Sequence, residues 1–463
     1  MNTLKKLSKM IMVFSLGIMV MVSCGSGTDE IEPTPVEPIE PELPSGDEAL
    51  TPIQQKEKLD EVAKDFLNQL SADNFSDLNN LYSYIARTYD DSYDWSNVKS
   101  WGMSAFEAVK TAIGTTTEKS PWNDNHTIVY SNYKTLLMAA NFTGHFTAEG
   151  RQWVYAKAND LQFIFTDQAG KRCVVKMETS GNVQKIHLFD REYWIDSDYE
   201  YNEDTGVYKW RTYYDRNQYT IGLPERIIIS LTQNGKEMIR TTVNTKLADI
   251  SGEEFDLSRS SISVSATVEF YNGYKLDISQ VAYSANKSAA ANCVLYKGET
   301  ALLTLGASSD VSGLPSVNVS AFFPKNDNED YDLDNANGKN AFVKLDILGK
   351  VQVQGKIIDI RKFAEYLDSA NKNDRKERDF KSYVDLANLQ MEIYMFYNNS
   401  NKTQAQVKLE PFEDEKWGGN YWIYEPVIYF FDGSSYSTFE VFFNKVITRF
   451  KDFIYDYSKM LPK

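Results

Sequence analysis

The chain has 463 residues, with 49 Lys and Arg against 65 Asp and Glu, for a formal net charge of −16. An acidic chain without a basic run excludes nucleic acid or an anionic lipid surface as a partner of the protein face. Only three histidines occur, His126, His145 and His187, and no two of them have the spacing of a helix or strand metal site.

The N-terminus carries Lys5, Lys6 and Lys9, then an apolar run from Met10 to Val22 that is too short to span a bilayer, then Ser23 and Cys24. This pattern resembles the signal and lipobox of bacterial lipoproteins. The resemblance implies cleavage before Cys24, acylation of that cysteine with palmitate-type chains, and attachment to outer-membrane lipid. Removing residues 1–23 takes away three positive charges and no acid, so the mature chain carries −19. Cys24-Gly-Ser-Gly-Thr-Asp-Glu is also similar to the export signal of surface-exposed lipoproteins of Bacteroidetes, which implies a place on the outer face of the outer membrane.

Residues 24–52 read as a disordered acidic tether. Prolines stand at 33, 35, 38, 41 and 44, eight acids lie between Thr28 and Ala49, and the segment has too little apolar material to fold. Helical periodicity follows. Leu59, Val62, Ala63, Phe66, Leu67 and Leu70 form one stripe, and Leu78, Leu81, Tyr82, Ile85, Ala86 and Tyr89 form another. With a third helix expected from Met103 to Ile113, residues 53–120 form an N-terminal helical subdomain.

From 121 to 358 the period falls to two, most clearly in Ile262, Val264, Ala266, Val268 and Phe270. Turn signals at Asn234-Gly235, Asn272-Gly273 and Lys297-Gly298 predict a long antiparallel β-meander with one apolar and one wet face. Residues 359–463 return to mixed structure. Helices are expected around Phe363–Leu367 and Phe380–Ala387, a hairpin at Met391–Tyr397 and Thr403–Glu410, and a final helix capped by Ser437 and Glu440. The fold class predicted is α+β, with C-terminal helices packing on the sheet.

Motifs for chemistry are missing. The sequence has no Gly-x-x-x-x-Gly-Lys-Ser/Thr, no Gly-x-Ser-x-Gly, no His-Glu-x-x-His and no Cys-x-x-Cys. A carboxylate-pair glycosidase leaves no local pattern and stays open as an alternative. Asp330, Asp332, Asp334 and Asn335 alternate oxygen ligands as a calcium loop does, but lack its glycine and glutamate, and read as a solvated loop. Cys173 and Cys293 lie in alternating runs and read as buried free thiols, with a disulfide as the alternative.

Aromatic density is the remaining signal. Tyr193, Trp194, Tyr208, Trp210 and Tyr214, with Trp422 in a second cluster, sit among Asp, Asn, Gln and Arg, a composition that suits stacking on sugar rings. The competing reading is that these rings pack between sheet and helices. Many lipoproteins of the resembling group bind glycans beside outer-membrane transporters. That implication and the aromatic clusters together point to a non-catalytic binding role, and no metal or cofactor is expected. The alternatives are a carrier holding a lipid or other hydrophobic ligand in a sheet-helix cavity, and a structural or adhesin lipoprotein.

Overall fold

The computed structural model describes residues 40–43, 50–70, 72–88, 140, 142–189, 193–202, 207–215, 218–250, 259–285, 287–312, 339–414, 421–430 and 436–438. The chain is α+β and mostly strand. Helices α1 (Pro52–Gln69) and α2 (Ser76–Thr88) come first, joined through a 3-10 turn at Ala72–Phe75. Strands follow: β1 (Gly144–Glu149), β2 (Gln152–Ala156), β3 (Leu161–Thr166), β4 (Arg172–Phe189), β5 (Tyr193–Asn202), β6 (Val207–Asp215), β7 (Gln218–Gln233) and β8 (Lys236–Ala248). Next are β9 (Ser261–Phe270), β10 (Tyr274–Ser284), β11 (Ser288–Lys297), β12 (Thr300–Asp310), β13 (Lys339–Ile347) and β14 (Val351–Asp359). Helices α3 (Ile360–Lys372) and α4 (Glu377–Asn388) separate these from β15 (Met391–Tyr397), β16 (Ala405–Asp414), β17 (Tyr421–Phe430) and β18 (Tyr436–Thr438).

Sixteen of the strands form one sheet in the order β18-β17-β16-β15-β14-β13-β12-β11-β10-β9-β8-β7-β4-β3-β1-β2. All neighbours are antiparallel except β1 and β3, which run parallel and make the sheet mixed. The period-two pattern explains why one face is dry. A single register row crosses eleven strands: Leu161, Met177, Ile229, Thr241, Val268, Leu276, Leu295, Leu303, Ile347, Val351 and Tyr397. All but Thr241 are apolar or aromatic, and all belong to the core or lie against it, apart from the buried Thr241 hydroxyl, which has no hydrogen-bond partner. The adjacent residues supply the wet face, where Arg240, Glu269, Lys275 and Tyr296 share the neighbouring row. Lys275 there bonds Asp277 at 2.8 Å.

Cys173 and Cys293 are both free and buried, on β4 and β11, which stand five strand steps apart. At ~4.8 Å per step that separation is about 24 Å along the sheet, far beyond disulfide reach.

The first helices do not stand apart from the sheet. Thr51 and Gln54 form a capping box around Pro52, which fixes the start of α1. Its stripe of Leu59, Val62, Ala63 and Phe66 is buried. At one end Gln55 Nε2 donates to the Gln404 carbonyl at 2.8 Å, and at the other the Tyr274 hydroxyl donates to the Gln69 carbonyl. Eighteen residues make a helix about 27 Å long, and the five steps from β10 to β15 cover about 24 Å. Helix α1 therefore lies crosswise over the strands as a beam, with Lys350 of the β13–β14 turn paired to Asp65 between those two ends at 2.5 Å. Phe75 fixes the following turn, with its ring 5.4 Å from Phe270 and 4.9 Å from Tyr274.

Two expectations are revised. Residues 53–88 share the sheet's core: Leu59, Val62, Phe66, Leu78, Leu81 and Ile85 join the strands in one buried cluster rather than forming a core of their own. Ser437, expected to cap a helix, pairs with Ile428 in β18, where it extends the sheet edge. The expected helices at 103–113 and 439–457, the calcium-like stretch at 327–338, and Cys24 lie outside the described residues.

Candidate functional site: an aromatic ribbon at one end of the sheet

The two ends of the sheet differ in kind. One carries the tight turns, stitched to one another by backbone bonds: Asn234 N to Arg172 O at 2.7 Å, Tyr271 N to Met238 O at 3.0 Å, Gly298 N to Gly273 O at 2.8 Å, Leu348 N to Leu302 O at 3.0 Å and Asn398 N to Lys350 O at 3.0 Å. The other end carries, beside the short turn between β10 and β11, the long connections: residues 249–260, 311–338, α3 with α4, and the segment between β4 and β7. Long connections on a rigid scaffold are where binding residues concentrate.

The chain enters at the turn end. Glu42 forms a parallel bridge with Lys402, its N–H donating to the Asn401 carbonyl at 2.9 Å and its carbonyl accepting from the Thr403 N–H at 2.8 Å. Lys402 Nζ closes the clip on the Glu42 carboxylate at 2.7 Å, and that hydrogen bond and charge hold the carboxyl below the usual range. The stretch read as a tether up to residue 52 thus meets the body ten residues earlier.

At the opposite end β4 and β7 outrun the sheet. The last β7–β8 pair is Arg226 with Asn244, yet β4 and β7 continue pairing to Phe189 with Gln218. A bulge between Ser180 and Val183 marks the departure. Gly181 sits there at φ +83°, where a Cβ would fall 2.4 Å from Glu225 Oε2, so both conformation and space call for glycine. Strands β5 and β6 then pair with each other and, among the described residues, with no other strand.

The register of β5 and β6 sorts their residues by face. Trp194 pairs with Tyr214, Tyr199 with Trp210 and Tyr201 with Tyr208, and Ser197 with Thr212 completes that face. The other face takes Tyr193 with Asp215, Asp196 with Tyr213, Asp198 with Arg211 and Glu200 with Lys209. Opposite charges at facing positions favour this pairing. One face therefore carries six aromatics in eight positions, the other the charges. Simple alternation would separate Trp194 from Tyr199 and Tyr201. The register shift between Trp194 and Asp196 restores it to their face.

Of the residues singled out from sequence, Trp194, Tyr208, Trp210 and Tyr214 share this face, while Tyr193 falls on the other. Trp422 is the second residue of β17, ten strand steps from β7, though at the same end of the sheet. It is half-buried on the core face, with its ring centroid 6.4 Å from that of Phe380 and Lys381 Nζ 4.4 Å above it. Tyr199 and Tyr201 join the site through register alone. Period-two spacing with Tyr208 and Trp210 across a turn is the signal that finds them.

Other polar groups serve structure. His145 bonds Asp160 Oδ1 at 2.7 Å and Gln162 Nε2 donates to Asp160 Oδ2 at 2.8 Å, on the wet face beside Lys176. Burial opposes ionisation of Asp160, but the hydrogen bonds from Gln162 and His145 and the charge of Lys176 outweigh it and hold the carboxyl below its ordinary value. Among the described residues no three His, Cys, Asp or Glu side chains gather as a metal site would need. No protein-family model, curated protein or solved structure matches this chain.

Proposed function

We propose that this is a lipid-anchored protein of the outer membrane, surface-exposed, that captures glycans without catalysis. The observation that carries the reading is the gathering of Trp194, Tyr199, Tyr201, Tyr208, Trp210 and Tyr214 on one face of a ribbon that leaves the main sheet. Sugar rings stack their C–H faces on aromatic rings, and their hydroxyls need polar partners close by. Supporting it, the clip at Glu42 brings the N-terminal segment onto the turn end, while the ribbon departs from the other. An anchor at Cys24 then holds the turn end toward the membrane and the aromatic face away from it. In the same reading the apolar stripes at 103–113 and 439–457 add helices to the cover of the sheet.

Two measurements test this. Mass spectrometry of the chain purified from bacterial membranes should find diacylglycerol and acyl chains on Cys24, lost in Cys24→Ser. A glycan array probed with the chain from residue 24, carrying Cys24→Ser, should give hits that Trp194→Ala and Trp210→Ala abolish. Hits that survive both substitutions would move the site away from the ribbon.

A further inference from the structure

Two Asn-Gly pairs among the described residues sit in turns at the same end of the sheet, in opposite surroundings. Before glycine an asparagine is chemically least durable, because no Cβ shields the next backbone nitrogen from the side-chain amide carbon. Asn234 and Gly235 join β7 to β8 as a two-residue turn with φ +53° and +81°, the signs of type I′. Both are exposed. Among the described residues neither the Asn234 side chain nor the Gly235 N–H makes a hydrogen bond, and a Cβ at Gly235 would meet nothing within 4 Å.

That freedom bears on one reaction. Closing a succinimide ring needs the asparagine Cβ and the glycine nitrogen on the same side of the Cα–C bond, the arrangement of a type II′ turn, whose first central residue has ψ of about −120°. Types I′ and II′ differ by a flip of one peptide plane, here the one between Asn234 and Gly235. The flip takes the glycine from positive to negative φ, both open to it, and leaves the Gln233–Lys236 pair in place.

Asn272 and Gly273 have the same side chains and none of this freedom. In their loop the attacking nitrogen is occupied, with Gly273 N donating to the Phe270 carbonyl at 3.0 Å, and the Gly273 carbonyl accepts from Gly298 N at 2.8 Å. The amide that would leave is held too, as Asn272 Nδ2 donates to the Asn74 carbonyl at 2.5 Å, and Asn272 Oδ1 is buried. Flipping this peptide and closing the ring would break the first and third of these bonds, and the second restrains the glycine from counter-rotating.

We propose that Asn234 is a self-modifying site of the folded chain, and that the fold preserves Asn272. The Gly235 nitrogen bonds to Cγ of Asn234 and gives up its proton, while the Cγ–Nδ2 bond breaks and Nδ2 leaves as ammonia with that proton. Water then opens the ring at either carbonyl, giving aspartate where the new N–Cγ bond breaks and isoaspartate where the original peptide bond does. No oxidant, metal or enzyme is needed. Both products add a negative charge to the turn, and isoaspartate also inserts a methylene into the backbone of a loop only two residues long.

The test is peptide mapping by mass spectrometry of the chain from residue 24 carrying Cys24→Ser, aged in mildly alkaline buffer both folded and in guanidinium, with fragmentation that separates isoaspartate from aspartate. In the folded chain product at position 234 should accumulate about tenfold or more faster than at 272, since Asn272 must first break two hydrogen bonds of ordinary strength. Guanidinium should bring the two rates to within about threefold by removing those bonds. A lead for Asn234 that is no larger in the folded chain than in guanidinium would overturn the proposal, because it would then belong to the flanking residues. So would faster reaction at Asn272, or a folded chain that leaves Asn234 intact while the unfolded one loses it.

Discussion

Phe75 tests whether the first helices belong to the sheet. The residue is 1 % exposed and sits between Phe270 and Tyr274, at the point where the turn after α1 meets the β9–β10 connection. Truncating a buried Phe to Ala typically costs about 3–5 kcal/mol in lost transfer energy and residual cavity. Each of the two ring pairs adds about 0.5–1.5 kcal/mol beyond area. Because α1 is held at both ends, the site has little freedom to collapse. We therefore expect Phe75→Ala to cost about 4–5 kcal/mol and Phe75→Leu, which retains most of the volume, about 1.5 kcal/mol. Urea unfolding followed by tryptophan fluorescence gives the magnitude. Hydrogen exchange read on peptides from α1, β9 and β10 gives the location. A loss below about 1 kcal/mol, or exchange that rises in α1 alone while β9 and β10 keep their protection, would refute the beam and restore a separate helical unit.

Further outcomes are expected. Gly355→Ala should cost about 3 kcal/mol or more in thermal unfolding, because its Cβ would lie 1.9 Å from the Glu392 carbonyl oxygen across the β14–β15 pairing. Gly349→Ala, whose Cβ would meet only Asn399 Nδ2 at an ordinary 3.6 Å but at φ +66°, should cost only about 1–2 kcal/mol. Thr51→Ala should lose about 1 kcal/mol of stability by removing one half of the capping box, and Thr51→Ser should restore it. Burial pushes the Cys173 thiol up to about 11 and the Cys293 thiol up to about 12, so neither forms the reactive thiolate at neutral pH. Ellman's reagent at pH 8 should leave both unlabelled until the chain is unfolded. Since both values are raised, the stability these thiols contribute is whole below about pH 9 and falls as pH climbs through 11–12. A stability curve flat across that range would contradict the burial.

Local periodicity foretold much of this fold. The stripes of α1 and α2, the alternation of β9 and the helices around Phe363 and Phe380 all place buried residues where 3.6-fold or two-fold spacing puts them. The Asn234-Gly235 turn forms as its dipeptide dictates, with both residues at positive φ (+53° and +81°), whereas at Asn272-Gly273 only the glycine is (φ +84°), in a three-residue loop between β9 and β10. What periodicity does not carry is pairing over distance. Nothing in the alternation of β3 says that its partner β1 runs parallel, or that Gln55 seats on Gln404. The site follows the same division. Aromatic density between Tyr193 and Tyr219 was visible in the residues, but the register shift beside Trp194 decides which rings share a face, and a backbone irregularity leaves no mark in residue type. Trp422 has the composition of the first cluster, yet its place is set by Phe380 on a helix some forty residues earlier.

From β7 to β18 each strand of the sheet lies beside its neighbours in the chain, so assembly can proceed hairpin by hairpin without waiting for remote partners. Helix α1 is the exception. It precedes the sheet in the chain, yet the seat of its first turn, Gln404, is 349 residues downstream of Gln55. The beam is then among the last pieces to be set, and until it is, the apolar face beneath it from β10 to β15 stands open. An apolar face of that width, while uncovered, is the kind of surface that promotes aggregation during folding, a vulnerability in time that the finished sheet no longer displays.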